Sequence, residues 1–168
     1  MNPSLIWTPK VRIGRKFEPG RGRVRNGTSC VSDGTMWLVS RFAQHEVDEA
    51  LGKVRVACLV LPETSERLSH GGPAFFIRDK KCFVMFLNDH HEDGRLAIWC
   101  AAPDGVQVEM VETDPERFFR PPYVGHRGWL GVELPGIDQA ELSAICREAF
   151  VSIAPKTLVK MLPPAAGD

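Results

Sequence analysis

The densest run of chemically able side chains is Asp89-His90-His91-Glu92-Asp93. Imidazole and carboxylate together can bind zinc or a similar metal. Adjacent histidines on a strand, however, point to opposite faces, and chelation favours spacings such as i, i+4 on a helix. The same run reads as a polar hairpin connection closed by Asp93-Gly94, and no compact ligand set lies nearby in sequence. No metal is expected. His70 is followed by Gly71-Gly72-Pro73, so the backbone can turn sharply before Pro73 fixes the entry to a strand. His70 could be a polar contact in a binding site. General acid–base work would need a nucleophile and an orienting acid that the sequence does not display.

The best binding group is the irregular stretch holding Arg117, Arg120, Tyr123, His126, Arg127 and Trp129, stiffened by Pro121-Pro122. Arg pairs with phosphate or carboxylate, and Tyr or Trp stacks on a base. Lys80 and Lys81 could add to it. Against this, Arg117 and Arg120 could pair locally with Glu116 or Asp114, leaving Tyr123 and Trp129 to pack the loop. No nucleophile elbow, Walker A loop or dinucleotide fingerprint occurs, so neither catalytic residues nor a cofactor are expected. Cys82 and Cys100 fall within strand patterns and read as inert thiols.

The elements that must position these groups begin at His45. Val47, Leu51, Val54, Cys58 and Leu61 form one apolar stripe of a helix that Pro62 stops. Ala74–Arg78, Lys81–Leu87 and Arg95–Ala101 read as a meander of strands, with Asp79-Lys80 as the first turn. A modest helix is expected from Asp104 to Glu112, with Pro115 in another first helical turn. Phe118–Val124, broken by two prolines, can only be an edge or a loop. Trp129–Leu134 reads as a last strand. The closing helix starts at Asp138, with Glu141 three residues on, and carries Leu142, Ile145, Cys146, Ala149, Phe150 and Ile153 on one stripe. A short helical turn follows over Lys156–Leu162. The order predicts an α+β domain: an antiparallel β-sheet with flanking helices on one face.

Strand parity separates Leu96, Ile98 and Cys100 from Ala97 and Trp99, and Leu130, Val132 and Leu134 from Trp129 and Gly131. The aliphatic sets belong under the helices. The others would either form an open aromatic surface for a flat ligand, base or peptide, or be covered by loops.

The chain has 168 residues, 21 Lys+Arg against 21 Asp+Glu, and a 43% apolar content typical of a globular domain. The balance hides an asymmetry. Residues 1–35 hold seven basic and two acidic residues, are rich in turn formers, and read as a flexible basic arm or a misassigned start, with Met36 as an alternative first residue. Residues 36–168 carry the patterned domain and a net charge of −5. No run of about 18 apolar residues suits a membrane helix. No secretory leader pattern stands at the start, and five cysteines without a C-x-x-C pair fit a reduced, cytoplasmic protein.

Residues 61–86 (LPETSERLSHGGPAFFIRDKKCFVMF) resemble the signature of the MmcQ/YjbR family of small bacterial proteins. NDHHEDGRLAIWC (88–100), DPERFFRPPYVGHRGWLGVEL (114–134) and REAFVSIAPK (147–156) resemble its later blocks in the same order. The resemblance implies a frataxin-like or secretion-chaperone-like α+β fold and a non-enzymatic, DNA-binding protein with a double-wing arrangement. The hairpins 74–87 and 83–100 would be the wings, with Arg120 and the 1–35 arm on phosphate. The alternative is a module for a small anionic ligand or a protein segment, lined by His70, Trp99, Arg120, Tyr123 and Trp129.

Overall fold

Helix α1 (Gln44–Leu59) forms where the apolar stripe begins. Its first turn is closed by Glu46, whose carboxylate accepts the Ala43 N–H at 2.8 Å. The stripe is shifted slightly from the sequence reading: Val47, Ala50, Val54, Ala57 and Cys58 are buried. The computed structural model describes residues 41–163. The expectations for the 1–35 arm and for Met36 lie outside the described residues.

After α1 come β1 (Thr64–Ser69), β2 (Gly72–Ile77), β3 (Lys81–Asn88) and β4 (Leu96–Cys100). Helix α2 (Val106–Thr113), strand β5 (Phe118–Phe119), strand β6 (Leu130–Glu133), helix α3 (Gln139–Ile153) and the short α4 (Lys156–Val159) complete the order. The six strands form one antiparallel sheet in the order β1-β2-β3-β4-β6-β5. The expected α+β architecture is therefore present, with α1 and α3 packed together over one face of the sheet. Asp138 caps α3 as its spacing predicts, its Oδ1 accepting the Glu141 N–H at 2.8 Å.

The face beneath the helices is the core. Phe83 meets Phe150 of α3 edge-on, with ring centroids 5.9 Å apart, and both are fully buried. The free thiols of Cys58 on α1, Cys146 on α3 and Cys100 on β4 lie near one another in this core. Burial pushes the Cys58 and Cys100 thiols well above the ordinary thiol range. Cys82 is pushed up to about 11, chiefly by burial. Thiols held protonated in this way are poor nucleophiles.

Several local expectations need correction. The β2–β3 turn is centred on Arg78-Asp79, both at positive φ, with Lys80 N–H on the Ile77 carbonyl, and not on Asp79-Lys80. Pro115 lies in a turn that leads to β5, not in a helix. The hairpins 74–87 and 83–100 do not project as wings. Strands β2, β3 and β4 are interior strands, flanked on both sides by hydrogen-bonded neighbours.

Candidate functional site

The register aligns Arg67, Ala74, Met85, Trp99, Gly131 and Phe119 in one row across all six strands. Trp99 precedes Cys100, which faces α3, so this row lies on the sheet face away from the helices. Of the two alternatives that parity left, an open aromatic surface or one covered by loops, Trp99 follows the second. Trp99 is only 4% exposed, so its indole offers no free stacking face. Phe119 fills the space over Gly131, where an added Cβ would lie 2.5 Å from the ring. The Arg95 guanidinium stands 4.2 Å over the Phe119 ring and pairs with Glu133. Burial holds the Glu133 carboxyl above the usual carboxylate range despite that partner.

The rest of the cover comes from the β3–β4 loop. His90 lies edge-on to Trp99, with centroids 5.2 Å apart. The His91 ring is 4.2 Å from His90 and 5.8 Å from Tyr123. The sequence reading placed the two histidines in a polar hairpin connection but could not say how their rings are arranged there. They lie in that connection, on a 3-10 turn (His90–Glu92) with Asp89 and His91 in left-handed backbone conformation, and this brings their rings together. Asp89 braces the loop through its Oδ1, which accepts the Gly94 N–H at 2.8 Å. Arg41 closes it from outside by donating to the Gly94 carbonyl at 3.1 Å.

Of the expected site residues, His70 and Tyr123 join this cluster. His70 and Gly71 form the two-residue β1–β2 turn, both at positive φ. His70 lies close enough to His90 for its charge to act there. Its Nδ1 is 2.9 Å from the Ser69 hydroxyl, a partner the sequence reading missed. Tyr123 follows Pro121-Pro122 at φ 63 with its side chain 69% exposed. Arg120 is exposed on the same stretch and forms no ion pair among the described residues; its aliphatic stem lies against Gly125.

The remaining residues are placed elsewhere or otherwise engaged. Lys80 and Lys81 lie at the opposite end of β2 from His70, about 20 Å away at the usual strand rise. Lys81 donates to the Ile153 carbonyl at the end of α3 at 3.3 Å. Arg117 pairs across to Glu141 on α3, and not with Glu116 or Asp114. Trp129 is half-buried, and its carbonyl accepts from Gln107.

Gln107, unremarked in the sequence, is the buried polar residue that fixes the 120–129 stretch. Its Nε2 also donates to the Gly125 carbonyl at 2.9 Å. Replacing it with leucine takes this donor from both carbonyls and leaves the Gly125 carbonyl only the Gly128 N–H. Gln107→Leu should cost about 1–3 kcal/mol in denaturant unfolding. The amides of 120–129 should also exchange faster, while those of α3 keep their protection in native conditions.

Among the described residues no group of three or more His, Cys, Asp or Glu is placed to hold a metal ion. No described helix is long and apolar enough to cross a membrane.

The fold and this face define a small α+β protein: a six-stranded antiparallel sheet, two helices on one side and a loop-covered ring cluster on the other. The YjbR family model matches residues 59–151, more than half of the chain, and the chain belongs to that family. A crystal structure of Deinococcus radiodurans protein DR2400, described with the family-model domain DUF419, is similar at a TM-score of 0.54 and 16% identity. The likeness covers 70% of this chain and 91% of that one, and it shows a shared fold. No curated protein matches the chain.

Proposed function

We propose that this protein is a non-enzymatic binding module that recognises a protein segment through the His70–His90–His91–Tyr123 patch. One observation carries the reading. Among the described residues, five of the eight non-glycine residues at positive φ, His70, Asp89, His91, Glu92 and Tyr123, fall on the loops that meet here. Such conformations cost of order 1–3 kcal/mol each and persist where a site requires them. The patch is an exposed surface. A cavity of about 220 Å³ lies elsewhere, between α1 and the β6–α3 turn, lined by Glu46, Lys53, Leu134 and Ile137. An open surface with an exposed tyrosine suits a macromolecular partner better than an enclosed small molecule.

The family-based expectation of DNA binding fits this surface less well. Residues 41–163 carry 14 Lys and Arg against 18 Asp and Glu. Arg55, Arg78, Arg95 and Arg117 are each paired with a glutamate. Lys80 stands far from Arg120, and phosphate recognition draws its affinity from clustered free cations.

A peptide-display selection on the wild-type protein, counter-selected on Tyr123→Ala, tests the reading. A shared motif should emerge, bound by the wild type and lost in Tyr123→Ala with folding intact. A parallel duplex-DNA titration supplies the opposing result. Tight, strongly salt-dependent binding that Arg120→Ala weakens and Tyr123→Ala leaves alone would assign the protein to nucleic acid.

A further inference from the structure

His90 is the point at which the covering loop touches the sheet. Its ring packs on Trp99, which is itself nearly buried, and on His91, which continues to Tyr123. We propose that His90 is a proton-operated latch: neutral, it closes the 89–94 loop over Trp99; protonated, it releases the loop and uncovers the indole.

The geometry supplies the reason. A neutral imidazole packs well against an indole and a second imidazole. An imidazolium in the same place loses hydration and is disfavoured by the imidazoles of His91 and His70. The groups around it come from three elements. His91, Asp93, Glu92 and Asp89 lie on its own loop, His70 on the β1–β2 turn, and Tyr123 on the 120–124 stretch. Asp89 is committed to the Gly94 N–H and Arg41 to the Gly94 carbonyl. Asp93 accepts the Arg95 N–H at 3.0 Å, so its carboxylate offsets the repulsion only in part. Burial, then His91, lowers the His90 pKa; Asp93 raises it, and His70 lowers it further. The loop is also held in left-handed conformations at Asp89, His91 and Glu92, so opening relieves strain.

The sign follows from linkage. The closed form binds the proton on His90 less well than the open form does. Closure is therefore fully favoured above the ordinary imidazole pKa of about 6.5 and weakens as pH falls through it toward the lowered value. As control of the binding patch, this rests on the reading above. The loop movement itself does not.

The test needs no ligand. In the full-length protein, the His90 ring protons and the Trp99 indole N–H are followed by NMR from pH 8 to 5. His90 should titrate below the ordinary midpoint. The Trp99 signal should move with the same midpoint, and amides of 89–94 should lose protection in step. His90→Phe keeps the packing and should remove the Trp99 transition. His91→Asn with His70→Asn should move the His90 midpoint up, and Asp93→Asn should move it down. An ordinary His90 midpoint, or a Trp99 signal that ignores His90 protonation, overturns the latch. Loss of peptide selection with the transition intact would instead remove only the binding reading.

Discussion

Phe150→Ala should destabilise the protein by about 3–5 kcal/mol in denaturant unfolding, the range for removing a fully buried aromatic ring. Phe150 is 0% exposed and meets Phe83 edge-on at 5.9 Å. That contact joins α3 to β3, so the lost ring leaves a cavity between the helix layer and the sheet. A domain of this size has about 5–15 kcal/mol to lose. The variant should therefore unfold at a much lower midpoint with an unchanged slope. Phe150→Leu should recover part of the loss, because it refills much of the volume. A near-neutral alanine variant would mean that α3 does not lie over β3 as described.

The fold was legible where one face of an element is apolar and the other polar. In α3, the Leu142, Ile145, Cys146, Ala149 and Phe150 stripe and the Asp138 cap fixed both the helix and its buried side. The interior strands β3 and β4 announced themselves by aromatic and aliphatic density. Strand β1 did not, because Thr64–Ser69 (TSERLS) is an edge strand with Leu68 80% exposed and little to alternate. Charged edge strands of this kind avoid pairing with other chains, which removes the sequence signal for a strand. Phe83 was also opaque. A bulge between Phe75 and Phe76 shifts the register with β3, and Phe83 falls on the helix side.

For the candidate site, sequence put Tyr123 and His70 in one group but could not join them to the histidine pair that the structure sets beside them. The rule that neighbours in a strand diverge holds only for extended backbone, and His91 has φ 57. Arg95 and Glu133 were missed for a related reason. Each is unremarkable alone, and their pairing over Phe119 depends on strand order, with β6 beside β4 across a separation of 38 residues. Free cations were harder still. Arg117 and Arg120 look alike in sequence. Only the docking of α3 shows that Arg117 is committed to Glu141 while Arg120 stands without an ion-pair partner among the described residues.

Trp99→Ala should be the most damaging change on the other face, at about 3–5 kcal/mol for a buried indole. Its neighbours in the row cannot close the gap. Gly131 has no side chain to offer, and Phe119 already occupies the space above that glycine. The loss should also be local in a way that Phe150→Ala is not. Without the indole, the His90 ring keeps only His91 to pack on, and its burial, the leading cause of its lowered pKa, diminishes. The His90 midpoint should therefore rise toward the ordinary imidazole value in Trp99→Ala. The amides of 89–94 should exchange faster at pH 8, where the wild-type loop is closed. Trp99→Phe retains a ring and should keep most of the protection with a smaller stability loss. If Trp99→Ala lowers global stability but leaves the His90 midpoint and loop exchange unchanged, Trp99 is a core residue alone. The loop would then be held by Asp89 and Arg41 through Gly94.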